Sequence, residues 1–302
     1  MIKQPPALRK GDTIAIVCPA GNIEAKKVEK CISTLKQWGY NVKVGFTVGT
    51  QFNSFSADDK ERFYDLQNML DDKEVSAILC ARGGYGTSRI VDSLDWRIFK
   101  RYPKWIIGFS DITVLHSTLH TKLKTASLHA SMANEFNKGD VDKNENLLSL
   151  KKALAGNKIN YKIQADPLNI AGKVQGQLVG GNLSLLAHMV GTKSDLDLSG
   201  KILVIEDLNE YTYHIDRMML QLSRSRNFQE LGGLIVGGFT DMKETNPPFG
   251  HNVKEVIRTY TAPFNTPTCF DFPVSHGDEN LCLKLGFTYD LNIGKTVTLK
   301  EI

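Results

Sequence analysis

A serine, a carboxylate and a histidine stand in this sequence where each could take part in acyl transfer. Ser110 lies in Trp105–Ile106–Ile107–Gly108–Phe109–Ser110–Asp111–Ile112–Thr113. This apolar run turns at Gly108 and continues with Ile112, Leu115 and Leu119 at helical spacing, to about Lys122. A serine at a strand-to-helix turn presents its hydroxyl at the end of a sheet, with backbone N–H groups aimed at developing negative charge. Serine is equally a favoured helix N-cap. The stretch alone leaves both roles open.

A serine nucleophile needs a histidine to take its proton, a carboxylate to orient that histidine, and N–H donors for the oxyanion. Glu206 ends the apolar run Lys201–Ile202–Leu203–Val204–Ile205, at the rim of a core. It suits the orienting role, or an ion pair with an arginine such as Arg217. Among the seven histidines, His116 and His120 stand four apart on one helix, but Ser117 occupies the glutamate position of HExxH. Both are expected to be packing or surface residues. His129 follows a strand-like run and could line a cleft, while His188 lies within an apolar helical stripe. His214 stands on an amphipathic helix, and His251 lies between Gly250 and Asn252. His276, in the loop Phe272–Pro273–Val274–Ser275–His276–Gly277–Asp278–Glu279–Asn280, is placed as a reachable base would be. In Arg82–Gly83–Gly84–Tyr85–Gly86 the glycines would let backbone N–H groups approach an oxyanion or phosphate. The spacing is neither GxGxxG nor a P-loop, and a tight turn into a helix explains it as well.

The elements that must position these residues alternate. Strands are expected at Thr13–Cys18, Val42–Val44, Val75–Cys80 and Trp105–Gly108, with helices to about Trp38, over Asp58–Leu70 and from Thr87 to Leu94. This order predicts an α/β fold with a parallel sheet covered by helices, whose ligands lie outside the carboxyl ends of the strands. Polar, glycine-containing sequence follows, with a short helix at Asn146–Leu154. We therefore expect an N-terminal domain over 1–150, a crossing over 151–172, and a second domain over 173–302. The second begins with Gly180–Gly181–Asn182 and a helix to about Val190, then the strand Ile202–Glu206. A helix carrying Ile215, Met218, Met219 and Leu222, the strand Leu234–Val236 and a tail of short β segments complete it.

At 302 residues the chain can hold two cores. Its 41% apolar and 23% charged residues are those of an ordinary globular protein. The net charge of +4 comes from scattered lysines, with Lys151–Lys152 and Arg224–Ser225–Arg226 the densest spots. That argues against a nucleic-acid partner. No run approaches 18 apolar residues, which argues against a membrane span. Cys18, Cys31, Cys80, Cys269 and Cys282 form no CxxC pair, so a reducing cytoplasm is expected.

Taken in order, the motifs Gly11–Gly21, Ala81–Gly86, Gly108–Thr113, Gly180–Leu183, Ile205–Glu210, Tyr213–Met218 and Ser275–Asn280 resemble the LD-carboxypeptidase family of serine peptidases. The resemblance spans nearly the whole chain. It implies a catalytic triad of Ser110, Glu206 and His276, with the backbone N–H groups of Asp111 and Gly84 as the oxyanion hole. Arg82 is a candidate for the substrate carboxylate. It also implies an N-terminal domain resembling class I glutamine amidotransferases, a smaller β-rich C-terminal domain, and Ser110 on one domain with its partners on the other. The implied activity is release of the terminal D-alanine from muropeptide tetrapeptides at an L,D-peptide bond, in cytoplasmic peptidoglycan recycling, by a homodimer without metal or cofactor. Two other readings stay open: a hydrolase like the microcin C self-immunity proteins, acting on amides of aminoacyl or peptidyl nucleotides, and a non-catalytic muropeptide-binding protein.

Overall fold

The computed structural model describes residues 2–225 and 227–302; Met1, and Arg226 of the Arg224–Arg226 basic spot, lie outside them. The chain divides into two compact units, Met1–Asn157 with Leu281–Lys284, and Lys158–Asn280 with Leu285–Ile302. The chain first passes from one unit to the other between Asn157 and Lys158, and it crosses twice more around Leu281–Lys284. The return of Leu281–Lys284 to the first unit carries no signal in the sequence.

In the first unit the order is β1 (Thr13–Val17), α1 (Glu29–Gln37), β2 (Asn41–Val44), α2 (Asp59–Asp71), β3 (Val75–Cys80), α3 (Thr87–Ile90) and α4 (Arg97–Arg101). β4 (Trp105–Gly108), α5 (Thr113–Thr118), β5 (Ser127–His129) and α6 (Glu145–Leu154) complete it. The sheet order is Leu283–Leu285, β5, β4, β3, β1, β2, and the pairs among β1 to β5 are all parallel. Ile14–Val17, Ile78–Cys80 and Ile106–Ile107 are at most 1% exposed, as expected of parallel strands buried on both faces. Asp58 and Glu61 form a capping box that starts α2. The helix expected over Thr87–Leu94 is shorter: α3 stops at Ile90 and Val91–Ser93 form a 3-10 turn. β-branched Thr87, Ile90 and Val91 in so short a run give weak support to a helix.

The second unit holds β6 (Asn160–Gln164), β7 (Gly172–Asn182), α7 (Leu183–Met189), β8 (Ile202–Leu208), α8 (Thr212–Ser223) and β9 (Gly233–Thr240). α9 (Val253–Thr261) and β10 (Thr268–Cys269) follow, then β11 (Leu283–Leu285, the edge strand of the first sheet), β12 (Thr288–Ile293) and β13 (Thr296–Glu301). The sheet order is β10, β9, β8, β7, β12, β13, β6. β7 joins its two halves: Gly172–Gln177 pair antiparallel with β12, and Leu178–Asn182 pair parallel with β8. The expected β-rich domain is therefore a mixed sheet whose parallel half, β7 to β10, alternates with helices. No helix among the described residues is long and apolar enough to cross a membrane.

Candidate active site

Ser110 follows the carboxyl end of β4 through a sharp change of backbone direction. Phe109 is extended (φ −150, ψ −169), and Ser110 takes φ +60, in the left-handed region. An L-residue pays about 1–2 kcal/mol for that conformation. Strain of this kind at a strand-to-helix turn is the geometry of a nucleophile elbow. Ser110 begins the 3-10 turn Ser110–Ile112, and Phe109 occupies the cap position without a side-chain bond. The N-cap reading therefore gives way: an N-cap residue has β-region backbone, and Ser110 does not.

Behind the turn, the buried His116 bonds Gly108 O through Nε2 at 2.9 Å and Ser127 Oγ through Nδ1 at 2.8 Å. Only the neutral ring with its proton on Nε2 donates to the carbonyl and accepts from the hydroxyl. Burial lowers its pKa to about 4, so the ring stays neutral. His129 is fully buried beside Phe109, with ring centroids 5.8 Å apart, and lines no surface.

The Arg82–Gly86 loop presses against Ser110 from within the same unit. A Cβ on Gly83 would stand 2.9 Å from Ser110 Cβ, 3.1 Å from Ser110 Oγ and 3.4 Å from Asp111 N. Glycine is required there for close approach. Gly84 has φ +103, and Gly83 O accepts from Gly21 N at 2.9 Å. The fully buried Asp111 carboxylate accepts the Thr87 N–H at 2.9 Å. Asp111 thus ties the loop to the serine turn through its side chain. Burial pushes its pKa up. Arg82 is exposed, and its Nη1 donates to Asn22 O at 2.6 Å.

Glu206 and His276 meet in the second unit. The register against β9 shifts between Ile205 and Asp207, so that Gly237 and Gly238 of β9 stand opposite Glu206 alone, and such an irregularity can re-aim a side chain. The Glu206 side chain is 0% exposed and its Oε2 lies 2.5 Å from His276 Nδ1, a charge-assisted distance. The alternative partner, Arg217, stacks over Tyr213 instead. The His276 loop is held against β9: Gly238 N donates to Val274 O at 2.9 Å, and a Cβ on Gly237 would lie 2.1 Å from that oxygen. Ser275 Oγ donates to Glu279 O at 2.8 Å and accepts from Gly277 N at 3.0 Å, closing the turn around the histidine. Ser275 and the buried Asp207 are residues that sequence reasoning missed. Asp207 accepts from Asn182 Nδ2, Ser184 N and Leu208 N, anchoring α7 beside this irregularity, and burial lifts its pKa to about 6. Hydroxyl and carboxylate neighbours of a candidate residue are the only sequence signal for either.

Of the other histidines, His214 pairs with Glu210 at 2.6 Å and the exposed His251 with Glu255 at 3.7 Å. No cluster of three or more His, Cys, Asp or Glu among the described residues could hold a metal. The five cysteines are buried, and burial pushes the Cys18 thiol up to about 12. A protonated thiol is a poor nucleophile at neutral pH.

A strained serine and a buried carboxylate–histidine pair are residue types that serine hydrolases use. Residues 14–130 match the LD-carboxypeptidase N-terminal domain, and residues 175–291 match the LD-carboxypeptidase C-terminal domain. The chain belongs to the LD-carboxypeptidase family. It is 32% identical over 301 residues to a probable murein peptide carboxypeptidase of Bacillus subtilis, covering 99% of this chain and 94% of the relative. The crystal structure of muramoyltetrapeptide carboxypeptidase from Oxalobacter formigenes superposes with a TM-score of 0.87 at 27% identity, covering 96% of this chain and 98% of that one. The microcin C7 self-immunity protein MccF shares the fold, with a TM-score of 0.85 at 21% identity and 98% coverage of both chains.

Proposed function

We propose that this protein is a serine-type LD-carboxypeptidase that releases the terminal D-alanine of muropeptide tetrapeptides. The observation that carries the reading is the buried 2.5 Å contact between Glu206 Oε2 and His276 Nδ1. That bond fixes Nδ1 as the protonated nitrogen and leaves Nε2 as the basic one. Ser110 Oγ attacks the carbonyl carbon of the L,D-bond and its proton passes to His276 Nε2. The N–H groups of Asp111 and Gly84 receive the oxyanion. The C–N bond then breaks as Nε2 protonates the departing amine of D-alanine. Water repeats the sequence on the acyl-enzyme and restores Ser110. Glu206 stabilises the imidazolium in both halves. Arg82, exposed beside the glycine loop, would receive the substrate's free carboxylate. The reading includes a cytoplasmic homodimer acting in peptidoglycan recycling, with no metal or cofactor.

A muropeptide binder without catalysis would need neither the strain at Ser110 nor a buried histidine–carboxylate pair. For a nucleotide-amide hydrolase, the tryptophans offer little to stack on a base: Trp38 and Trp105 are buried, and Trp96 packs edge-on against Phe99. The test is a comparison of products from a muramoyl tetrapeptide and from an aminoacyl sulfamoyl adenosine. D-alanine release with the higher kcat/KM is expected from the first. Faster cleavage of the second would overturn the muropeptide assignment, and no cleavage of either would favour the binder.

A further inference from the structure

Arg62 lies on α2, and its side chain is 0% exposed. A buried guanidinium is strongly unfavourable unless its donors are met. Here they are met mostly by backbone carbonyls. Nε donates to Ala57 O at 3.2 Å, and Nη1 to Pro19 O at 2.5 Å and to Gly86 O at 2.9 Å. Nη2 pairs with Asp59, and the Phe55 ring faces the guanidinium at 4.9 Å. Pro19 follows β1, Gly86 follows β3, and Ala57 precedes α2. One side chain therefore ties together three segments, two of them at the carboxyl edge of the parallel sheet.

Gly86 is the end of the loop that presses on Ser110. It has φ +139, and a Cβ there would stand 2.6 Å from Arg62 Nη1. The next residue, Thr87, donates its N–H to Asp111, the neighbour of Ser110. The loop end is thus clamped on two sides, by Arg62 through the Gly86 carbonyl and by Asp111 through the Thr87 amide.

We propose that Arg62 is a positioning residue for the oxyanion hole. By fixing the Gly86 carbonyl against Pro19, it holds Gly83 and Gly84 at the spacing from Ser110 that lets the Gly84 N–H meet the oxyanion. The inference rests on the oxyanion role given to Gly84 above. It requires the planar fork of arginine, because a lysine ammonium cannot span the same carbonyls in one geometry.

The test is Arg62→Lys in the full chain, read in two ways. One is kcat and KM for D-alanine release from a muramoyl tetrapeptide. The other is the rate of covalent labelling by a fluorophosphonate, in which Ser110 Oγ displaces fluoride from phosphorus and loses its proton to the base. The phosphoryl oxygen uses the same donors, and no muropeptide is involved. Both kcat and the labelling rate should fall by about 10- to 100-fold, with KM within about twofold, as for a misplacement of the catalytic groups near 1 Å. Wild-type rates in folded Arg62→Lys, or a loss confined to KM, would overturn the inference. Should Arg62→Lys fail to fold, Asp59→Asn loosens the Nη2 contact together with the Asp59 pair to Arg89, and Arg89→Gln, which removes that second pair and leaves Arg62 intact, is the reference for its rates. A fall of about threefold or more in both rates then supports the inference, and unchanged rates overturn it. A wild-type protein that labels at Ser110 but releases no D-alanine refutes the substrate reading alone, and the labelling arm still decides the role of Arg62.

Discussion

Replacing Glu206 by glutamine exchanges one carboxylate oxygen for an amide NH₂ at the base of the proposed triad. Glu206 is fully buried and lies 2.5 Å from Nδ1, while the His276 side chain is 13% exposed, so little water screens the pair. At a mean charge separation near 4 Å and an effective dielectric of about 20, an imidazolium–carboxylate attraction is about 4 kcal/mol. Losing it in the transition state lowers kcat by about 10³-fold. The amide can also donate to Nδ1, which favours the ring tautomer whose Nε2 is already protonated. With that contribution the expected loss is about 10³- to 10⁴-fold, in kcat rather than KM. Glu206 Oε1 has no hydrogen-bond partner among the described residues, so an amide NH₂ placed there would lack an acceptor. A buried unmet donor costs about 1–3 kcal/mol, visible as a lowered Tm in a protein that still folds. The assay is steady-state D-alanine release by Glu206→Gln, His276→Ala and the double variant. The double variant should be no slower than His276→Ala, because the two residues act as a unit. Retention of more than about a tenth of wild-type kcat in folded Glu206→Gln would refute the orienting role.

Two further expectations follow from the first unit. Gly83→Ala places a methyl 2.9 Å from Ser110 Cβ, so either the loop or the nucleophile must move. It should lower kcat by about 10²-fold or more with the fold retained, checked by kinetics beside circular dichroism, and wild-type kcat would contradict the close approach. His116 titrates near 6.5 when unfolded and near 4 when folded. Between those values the unfolded chain binds the extra proton, so this residue's contribution to stability is fully present above about pH 6.5 and is lost as pH falls toward 4, by about 3 kcal/mol. Urea titrations at both pH values should show that loss in the wild type relative to His116→Gln. Parallel pH dependence in the two proteins would contradict it.

The parts of the site that depend on residue type and apolar pattern were legible in the sequence. The strands of Trp105–Gly108 and of Ile202–Glu206 follow from their apolar runs, although the second continues to Leu208 as β8, and the glycines at 83 and 84 mark a turn that can approach a neighbour closely. What was not legible depends on backbone geometry and long-range contacts. Nothing in Phe109–Ser110–Asp111 distinguishes a β-region N-cap from φ +60, because serine tolerates the first far better than the second. The irregularity opposite Glu206 comes from the extra residue of β9, the Ser275 turn from a hydroxyl that could equally face water, and the buried fork of Arg62 from carbonyls up to 43 residues away. α9 has a readable start, since Asn252 and Glu255 form a capping box ahead of the buried Val256 and Ile257. The return of Leu281–Lys284 to the first unit is set by pairing with β5 and has no local pattern.

The claim on which everything else depends is that Ser110 is the nucleophile. Its direct measurement is the rate of D-alanine release from a muramoyl tetrapeptide by Ser110→Ala, with the variant's fold confirmed by thermal unfolding. The expected result is a fall of about 10⁴- to 10⁶-fold from the wild-type rate. Release at the wild-type rate would contradict the account.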